Sequence, residues 1–201
     1  MLTREIVSLT LEHLWLVAIS VIAAIAIAAP SAVWLARHAR GRRWALGTVN
    51  IIQTIPSLAL FGFLLPVPLI GGVGKRTAVI ALILYALLPI LRNTVAGILG
   101  VDAGVRESAM AMGMTDGQIL RQVELPLAMP MILAGVRIAT VTTIGTATIA
   151  AAIGGGGLGT FVFRGIAMAD SKTILAGAVP AAMMAIVADE VLEWIERRFS
   201  Y

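Results

Sequence analysis

The segment ESAMAMGMTDGQILRQVELP, residues 107–126, lies between two apolar runs at 76–99 and 127–153. Each run exceeds the roughly 20 residues that a helix needs to cross the hydrocarbon core of a bilayer. The segment itself is polar and contains several residues that favour helix caps and turns. An ordered polar segment between two membrane spans indicates a contact with a partner outside the bilayer. We therefore predict a binding surface at residues 107–126.

The composition places the whole chain in a membrane. Of its 201 residues, 59% are hydrophobic and 13% are charged, and the mean hydropathy is +0.96. A soluble domain carries about a quarter charged residues. The pI of about 10.3 does not indicate nucleic acid as a partner, because the basic residues lie in short loops and form no continuous patch. With no Cys and only two His, the sequence predicts no metal site.

Five segments are long and apolar enough to be membrane helices. We therefore predict an all-α membrane protein with a single domain over residues 1–201 and spans at about 14–36, 44–66, 76–99, 127–153 and 173–195. The first run is predicted to remain as a span, because it is longer than a signal sequence and ends in a basic flank.

The distribution of Arg and Lys predicts the orientation. Odd-numbered crossings place eight basic residues on one side, namely Arg37, Arg40, Arg42, Arg43, Arg106, Arg121, Arg197 and Arg198. The opposite side has five, namely Arg4, Lys75, Arg76, Arg164 and Lys172. The positive-inside rule then predicts an outer N-terminus, a cytoplasmic C-terminus and a cytoplasmic position for residues 107–126.

Capping signals predict two short helices joined by a turn in this cytoplasmic segment. Asp102 can cap the first helix, and Gly113 can supply the left-handed residue that ends it. Thr115 and Gln118 match a capping box that opens a second helix. We predict a deformable outward face, suited to a groove on another protein, formed by Ala109, Met110, Met112, Met114 and Ile119. The alternative is an amphipathic helix that rests on lipid headgroups.

The spacing Glu107-Ser108-Ala109, three residues, Gly113, nine residues, Val123, one residue, Leu125-Pro126 resembles the EAA motif of ABC importer permeases. That motif reads Glu-Ala-Ala, three residues, Gly, nine residues, Ile, one residue, Leu-Pro, so this chain has two substitutions of similar size. The resemblance implies a type I ABC importer transmembrane domain whose coupling helix, about 103–126, docks in a cleft of a cytoplasmic ATPase. It assigns the coupling role to Glu107, Ser108, Ala109, Gly113, Val123, Leu125 and Pro126.

Residues 51–59, 84–94 and 145–148 resemble permeases for osmoprotectants such as glycine betaine, choline and carnitine, although methionine, nitrate and phosphonate branches share parts of these phrases. The resemblance implies alternating access in the bacterial cytoplasmic (inner) membrane. The partners it implies are cytoplasmic ABC ATPase subunits, a second permease copy or paralogue, an extracytoplasmic substrate-binding protein and membrane lipid. No GxxxxGK[ST] pattern occurs, so ATP and Mg²⁺ are expected on the ATPase, with no cofactor and no enzymatic activity in this chain.

Polar residues within the spans are candidates for a substrate path, namely Gln53, Asn93, Thr142 and Thr146. Hydroxyls of Thr side chains can equally bond back to the preceding helical turn. Arg137 lies too deep to snorkel, and we expect it to face a cavity or to pair with Asp189 or Glu190. Arg92 lies nearer the end of its span, where snorkelling to the cytoplasm is the expected behaviour.

A Gly-rich stretch follows the fourth span on the predicted outer side. It contains Gly154, Gly155, Gly156, Gly157 and Gly159, and similar importers carry such a stretch near their outer gate. A flexible external connection explains it equally well. For the whole chain, two other functions remain open: an ATP-independent channel or carrier, and a scaffold subunit of a larger membrane complex.

Overall fold

The computed structural model of the protein describes residues 2–199, which form helices and no β-strand. The α-helices of this part of the chain are α1 Leu2–Arg37, α2 Ala39–Thr54, α3 Ser57–Leu64, α4 Lys75–Leu99, α5 Ala103–Ala111, α6 Asp116–Ile119, α7 Leu125–Ile149, α8 Gly159–Ala167 and α9 Ser171–Arg197. A π-helix, Leu120–Glu124, joins α6 to α7, and a 3-10 helix, Ala150–Ile153, follows α7. The predicted all-α fold class is confirmed.

Four helical stretches are long and apolar enough to cross a membrane: Arg4–Arg37, Lys75–Leu99, Asp116–Ile153 and Ser171–Arg197. Helices α2 and α3 provide a fifth crossing only when they are taken together, because the chain bends by 101° between them. These stretches include the predicted first, third, fourth and fifth spans.

The predicted second span, at 44–66, is not one continuous helix, because α2 and α3 divide it with a bend of 101°. Pro56 has no N–H to continue the hydrogen-bond ladder, and it holds Ile55 in an extended conformation, with φ −71° and ψ 126°. The predicted basic loop before this span is also wrong, because Arg40, Arg42 and Arg43 lie in α2 and His38 alone separates α2 from α1.

Two reciprocal hydrogen bonds stabilise the bend between α2 and α3. Pro89 in α4 leaves the carbonyl of Tyr85 without its usual helical donor, and the Nε2 of Gln53 donates to that carbonyl at 2.9 Å. In return, the Tyr85 hydroxyl donates to the carbonyl of Ile55 at the bend. Backbone groups freed near two prolines are thus paired inside the protein, as a segment without access to water requires.

Helix α4 lies at the centre of the bundle, where it packs against α1, α2 and α7. The face of α1 toward the core repeats a small residue every fourth position, at Ala24, Ala28 and Ala32, each fully buried. Small side chains let two helices approach closely in a membrane, where burial from water does not drive association. Helix α9 packs against α7 and α8, but only 11% of the residues in its most apolar stretch are buried within the chain. Most of α9 is therefore available to lipid or to another subunit.

Candidate functional site

The first half of the polar segment between α4 and α7 folds as its capping signals predict. We call residues 102–126 the elbow. The Oδ1 atom of Asp102 accepts hydrogen bonds from the N–H groups of Gly104, at 2.8 Å, and Val105, at 3.2 Å, and so starts α5. The chain then turns at Gly113, whose φ is +80°. A Cβ at Gly113 would meet nothing within 4 Å, so the backbone conformation, rather than lack of space, requires glycine.

The second half of the elbow is continuous with a membrane helix. The Thr115 N–H donates to the Oε1 of Gln118 at 2.8 Å, as part of the predicted capping box. Helix α6 then passes through the π-helix into α7, which gives one helical stretch, Asp116–Ile153, of 38 residues. The prediction of a separate second helix before the fourth span is therefore wrong. Pro126 cannot donate a helical hydrogen bond, and the wider π turn just before it accommodates this loss without a break.

The exposed face of the elbow is rich in methionine. Met112 is 75% exposed and Met110 is 53% exposed, while Met114 is half-buried. Ala109 and Ile119 were predicted on this face, but both are buried, because α5 and α6 fold against each other and each buries one apolar side chain. Of the other motif residues, Glu107, Ser108 and Pro126 are exposed, whereas Val123 and Leu125 are half-buried.

Glu124 is a residue of the elbow that the sequence patterns did not single out. Its carboxylate is fully buried and is paired with Arg37 at 2.5 Å and with Arg106 at 3.0 Å. The signal available in the sequence was weak: one acidic residue at the start of an apolar run, with possible cationic partners 87 and 18 positions away. Sequence spacing alone does not bring those three side chains together.

Three of the four predicted path residues line one groove of about 360 Å³. Gln53 comes from α2, Asn93 from α4 and Thr142 from α7. Arg92 is exposed and also lines this groove, whereas Thr146 is not among its lining residues. The volume falls in the range of small-molecule sites. The role of these residues in transport stays a prediction.

The Thr hydroxyls of α7 bond back to their own helix. Thr142 donates to the carbonyl of Ile138 at 2.7 Å, and Thr146 donates to the carbonyl of Thr142 at 2.9 Å. The Nδ2 of Asn93 likewise donates to the carbonyl of Pro89 at 2.8 Å. The hydroxyl hydrogens of the two Thr side chains are thus used, Asn93 keeps one of its two Nδ2 hydrogens, and the oxygen lone pairs of all three side chains remain available. The groove therefore offers acceptor oxygens from Asn93 and Thr142 together with donors from Asn93 and the exposed Arg92 guanidinium.

Arg137 forms an ion-pair network with acidic residues of α9. Its Nε and Nη2 atoms donate to the two Asp189 oxygens at 2.5 Å and 3.0 Å, which confirms the predicted Asp189 pairing. Glu193, at 2.8 Å, and Glu196, at 3.6 Å, complete the network in place of Glu190. A cavity of about 400 Å³ adjoins it, and Thr142 lines both this cavity and the groove. Across residues 2–199, no cluster of His, Cys, Asp or Glu is arranged to hold a metal ion.

The Gly-rich stretch at the other end of the bundle is packed against α1. The Gly157 N–H donates to Oε2 of Glu12 at 2.9 Å, and Lys75 pairs with Oε1 of the same carboxylate at 2.5 Å. Gly157 has a φ of +72°, and a Cβ there would lie 2.9 Å from Nδ1 of the buried His13. Helix α8 begins at Gly159, so the connection between the fourth and fifth spans contains a helix that the sequence analysis did not predict; the alternative of a flexible connection stays a prediction. The outer-gate role of the stretch stays a prediction.

Comparison with known families identifies one profile that matches most of the chain. The profile of the family described as "binding-protein-dependent transport system inner membrane component" matches residues 10–201. Among solved structures, a chain of the MetNI methionine ABC transporter in an inward-facing form is similar with a TM-score of 0.89 and 24% identity, covering 99% of this chain and 98% of that chain. This likeness confirms the predicted transmembrane fold.

Relatives of higher identity are transport permeases. The choline transport system permease protein OpuBB of Bacillus subtilis (strain 168) is 46% identical over 98% of this chain and 89% of its own length. The carnitine transport permease protein OpuCD of Listeria monocytogenes serotype 1/2a is 49% identical, with coverage of 92% and 82%. The osmoprotectant import permease protein OsmW of Salmonella typhimurium is 45% identical, with coverage of 94% and 89%.

Proposed function

The chain belongs to the family of binding-protein-dependent transport system inner membrane components, and we propose that it imports an osmoprotectant such as glycine betaine, choline or carnitine. It is a transport permease of an ABC importer. Its relatives are named for choline, carnitine and glycine betaine, and their sequences match nearly the whole of this chain. These names support an osmoprotectant as the substrate.

The chemistry of the groove supports a quaternary ammonium substrate. Such a cation has no N–H to donate, so it is stabilised by oxygen lone pairs, aromatic faces and negative potential. The groove presents acceptor oxygens from Asn93 and Thr142. In the adjoining network, three carboxylates face two guanidinium groups, because Glu193 pairs with Arg197 as well as with Arg137. Arg92 adds a third guanidinium in the groove itself, so the charged groups are equal in number and the support for a cationic substrate comes from the acceptor oxygens.

The observation that carries the coupling mechanism is the continuity of the elbow with α7. We propose that a separate ATPase binds the methionine-rich face, and that this ATPase holds the ATP and Mg²⁺. Thr142 lies 16 residues beyond Pro126, or roughly 24 Å along the same helix. When the ATPase displaces the elbow, it therefore displaces a wall of the groove. Alternating access then follows from the movement of α7 relative to α4 and α9.

The remaining partners are proposed from the surfaces left open. The largely unburied α9 supports pairing with a second permease copy or paralogue, which would enclose a path that one chain leaves open. The bias of basic residues supports an outer N-terminus, a cytoplasmic C-terminus and a cytoplasmic elbow. An extracytoplasmic binding protein would then deliver substrate at the end that carries the Gly-rich stretch.

Reconstitution tests this function. The chain is assembled with its cognate ATPase and binding protein in proteoliposomes, and uptake of radiolabelled glycine betaine, choline, carnitine and methionine is measured with and without ATP on the ATPase side. We expect uptake of at least one osmoprotectant, only with ATP and binding protein. Uptake without ATP would identify a carrier or channel instead. ATP-driven uptake of methionine alone would contradict the proposed substrate class.

A further inference from the structure

The Glu124 carboxylate lies where four helices meet. Glu124 is the last residue of the π-helix before α7, and Arg37, its partner at 2.5 Å, is the last residue of α1. Arg106, its partner at 3.0 Å, belongs to α5 of the elbow. The Nη2 of Arg106 also donates to the carbonyl of Ile98, at 2.5 Å, in the last turn of α4. One carboxylate thus connects α1, α5 and α7, and Arg106 extends the connection to α4.

The Glu124 side chain is buried, whereas the side chains of its partners Arg37 and Arg106 are 44% and 25% exposed. Glu124 itself has no exposed surface, and Ala36, Ile98 and Ala128 form an apolar cluster from the same ends of α1, α4 and α7. A buried carboxylate is stable only while charged or hydrogen-bonding partners compensate its charge. The two arginines are therefore required neighbours, in contrast to an exposed ion pair, whose partners separate at little cost.

The two contacts of Glu124 differ in geometry. The Arg37 contact is an aligned hydrogen bond. The Arg106 Nε and the Glu124 Oε1 lie within ion-pair distance, but neither atom has a hydrogen bond of normal alignment. The link to α1 is thus a hydrogen-bonded ion pair, whereas the link between Glu124 and the elbow is an ion pair alone.

We propose that Glu124 is a positioning residue that transmits movement of α5 to the end of α1, in addition to the direct contact of Arg106 with α4 and the continuity of α6 with α7. The proposal rests on the proposed function, because it takes the elbow as the ATPase contact. Being buried, Glu124 acts through its arginine partners and not by touching the ATPase. It occupies the position that the motif leaves unspecified between Val123 and Leu125.

The test compares coupling in reconstituted complexes that carry Glu124→Gln or Arg106→Gln. Glu5→Gln is the control, since it also removes one Glu–Arg pair, with Arg164 at 2.8 Å, but at the opposite end of α1 and with a side chain 39% exposed. ATP hydrolysis and substrate uptake are measured in the same proteoliposomes. We expect both elbow variants to retain bound ATPase and to lower uptake per ATP by about tenfold, within the usual range of coupling free energies, and the control to change it by less than about twofold.

A merely structural role predicts a different result: less assembled complex, but the same uptake per ATP for what assembles. Wild-type uptake per ATP in Glu124→Gln would overturn the proposal. If Glu124→Gln does not assemble, the test uses the triple variant Arg37→Gln, Glu124→Gln, Arg106→Gln, which is neutral at all three positions and leaves no unpaired charge. The uptake per ATP of this variant is then compared with the wild-type value. Absence of ATP-driven uptake in the wild-type complex would instead overturn the proposed function.

Discussion

Replacing Gly113 by alanine should weaken the coupling of this permease by changing only the backbone preference of one turn. Gly113 has a φ of +80°, and a Cβ there would meet no atom within 4 Å, so no steric clash adds to the effect. An L-residue in this left-handed region costs about 1–2 kcal/mol, which lowers the ratio of turned to open elbows by about five- to thirtyfold. Gly113→Val should have a larger effect, because its side chain is β-branched.

The matched control is Gly47→Ala in α2, where the backbone is helical and a Cβ also meets nothing within 4 Å. This change should be neutral or stabilise the helix by about 0.5–1 kcal/mol. Both variants are reconstituted at limiting ATPase concentration, and ATPase binding and ATP-driven uptake are measured. We expect both quantities to fall for Gly113→Ala and to hold for Gly47→Ala. Equal binding and uptake in the two variants would refute the claim that the elbow must keep its turn.

Three further substitutions test other parts of the structure. Arg137→Gln should lower the amount of assembled protein in membranes, because it removes the cation that pairs with Asp189, and adding Asp189→Asn should restore part of that amount. Unchanged abundance by immunoblot would count against the network. Tyr85→Phe should lower the thermal midpoint of the purified protein by removing the hydroxyl bond to the bend, a loss of about 1 kcal/mol, and an unchanged midpoint would contradict that role. Glu12→Ala should speed hydrogen exchange at the Gly157 amide while Glu12→Gln, which keeps an acceptor, should not; equal rates in both would show that Glu12 does not hold the Gly-rich stretch.

The long-range architecture was predictable where one physical constraint dominates. Apolar length predicted the spans that contain α1, α4, α7 and α9, since a bilayer admits little else. Local capping chemistry predicted the Asp102 cap and the Gly113 turn, because both depend on residues within a few positions of each other. The depth of Arg137 predicted that it would face a cavity or pair with an acid of another helix, and Arg137 does both.

The remaining features depend on contacts that sequence spacing does not encode. Hydropathy treats residues 44–66 as one run, although Pro56 and the Gln53–Tyr85 contacts divide it into two helices. The sequence predicts two separate helices within residues 116–153, because a proline near the start of an apolar run normally marks a helix boundary. In the structure, a π turn continues the helix through Pro126. Burial of Glu124 by partners from α1 and α5 became apparent only in three dimensions.

Thiol labelling can show directly which side of the membrane the elbow faces and whether an ATPase covers it. The chain contains no Cys, so Met112→Cys places a single thiol on the exposed face of the elbow, and Val73→Cys places one in an exposed loop at the opposite end. Membrane-impermeant maleimide is added to inverted and to right-side-out vesicles. We predict that Met112→Cys is labelled only in inverted vesicles and is protected by bound ATPase, and that Val73→Cys shows the reverse sidedness without protection. Labelling of Met112→Cys from the outside, or labelling that the ATPase does not reduce, would contradict the claim that a cytoplasmic motor drives this permease through its elbow.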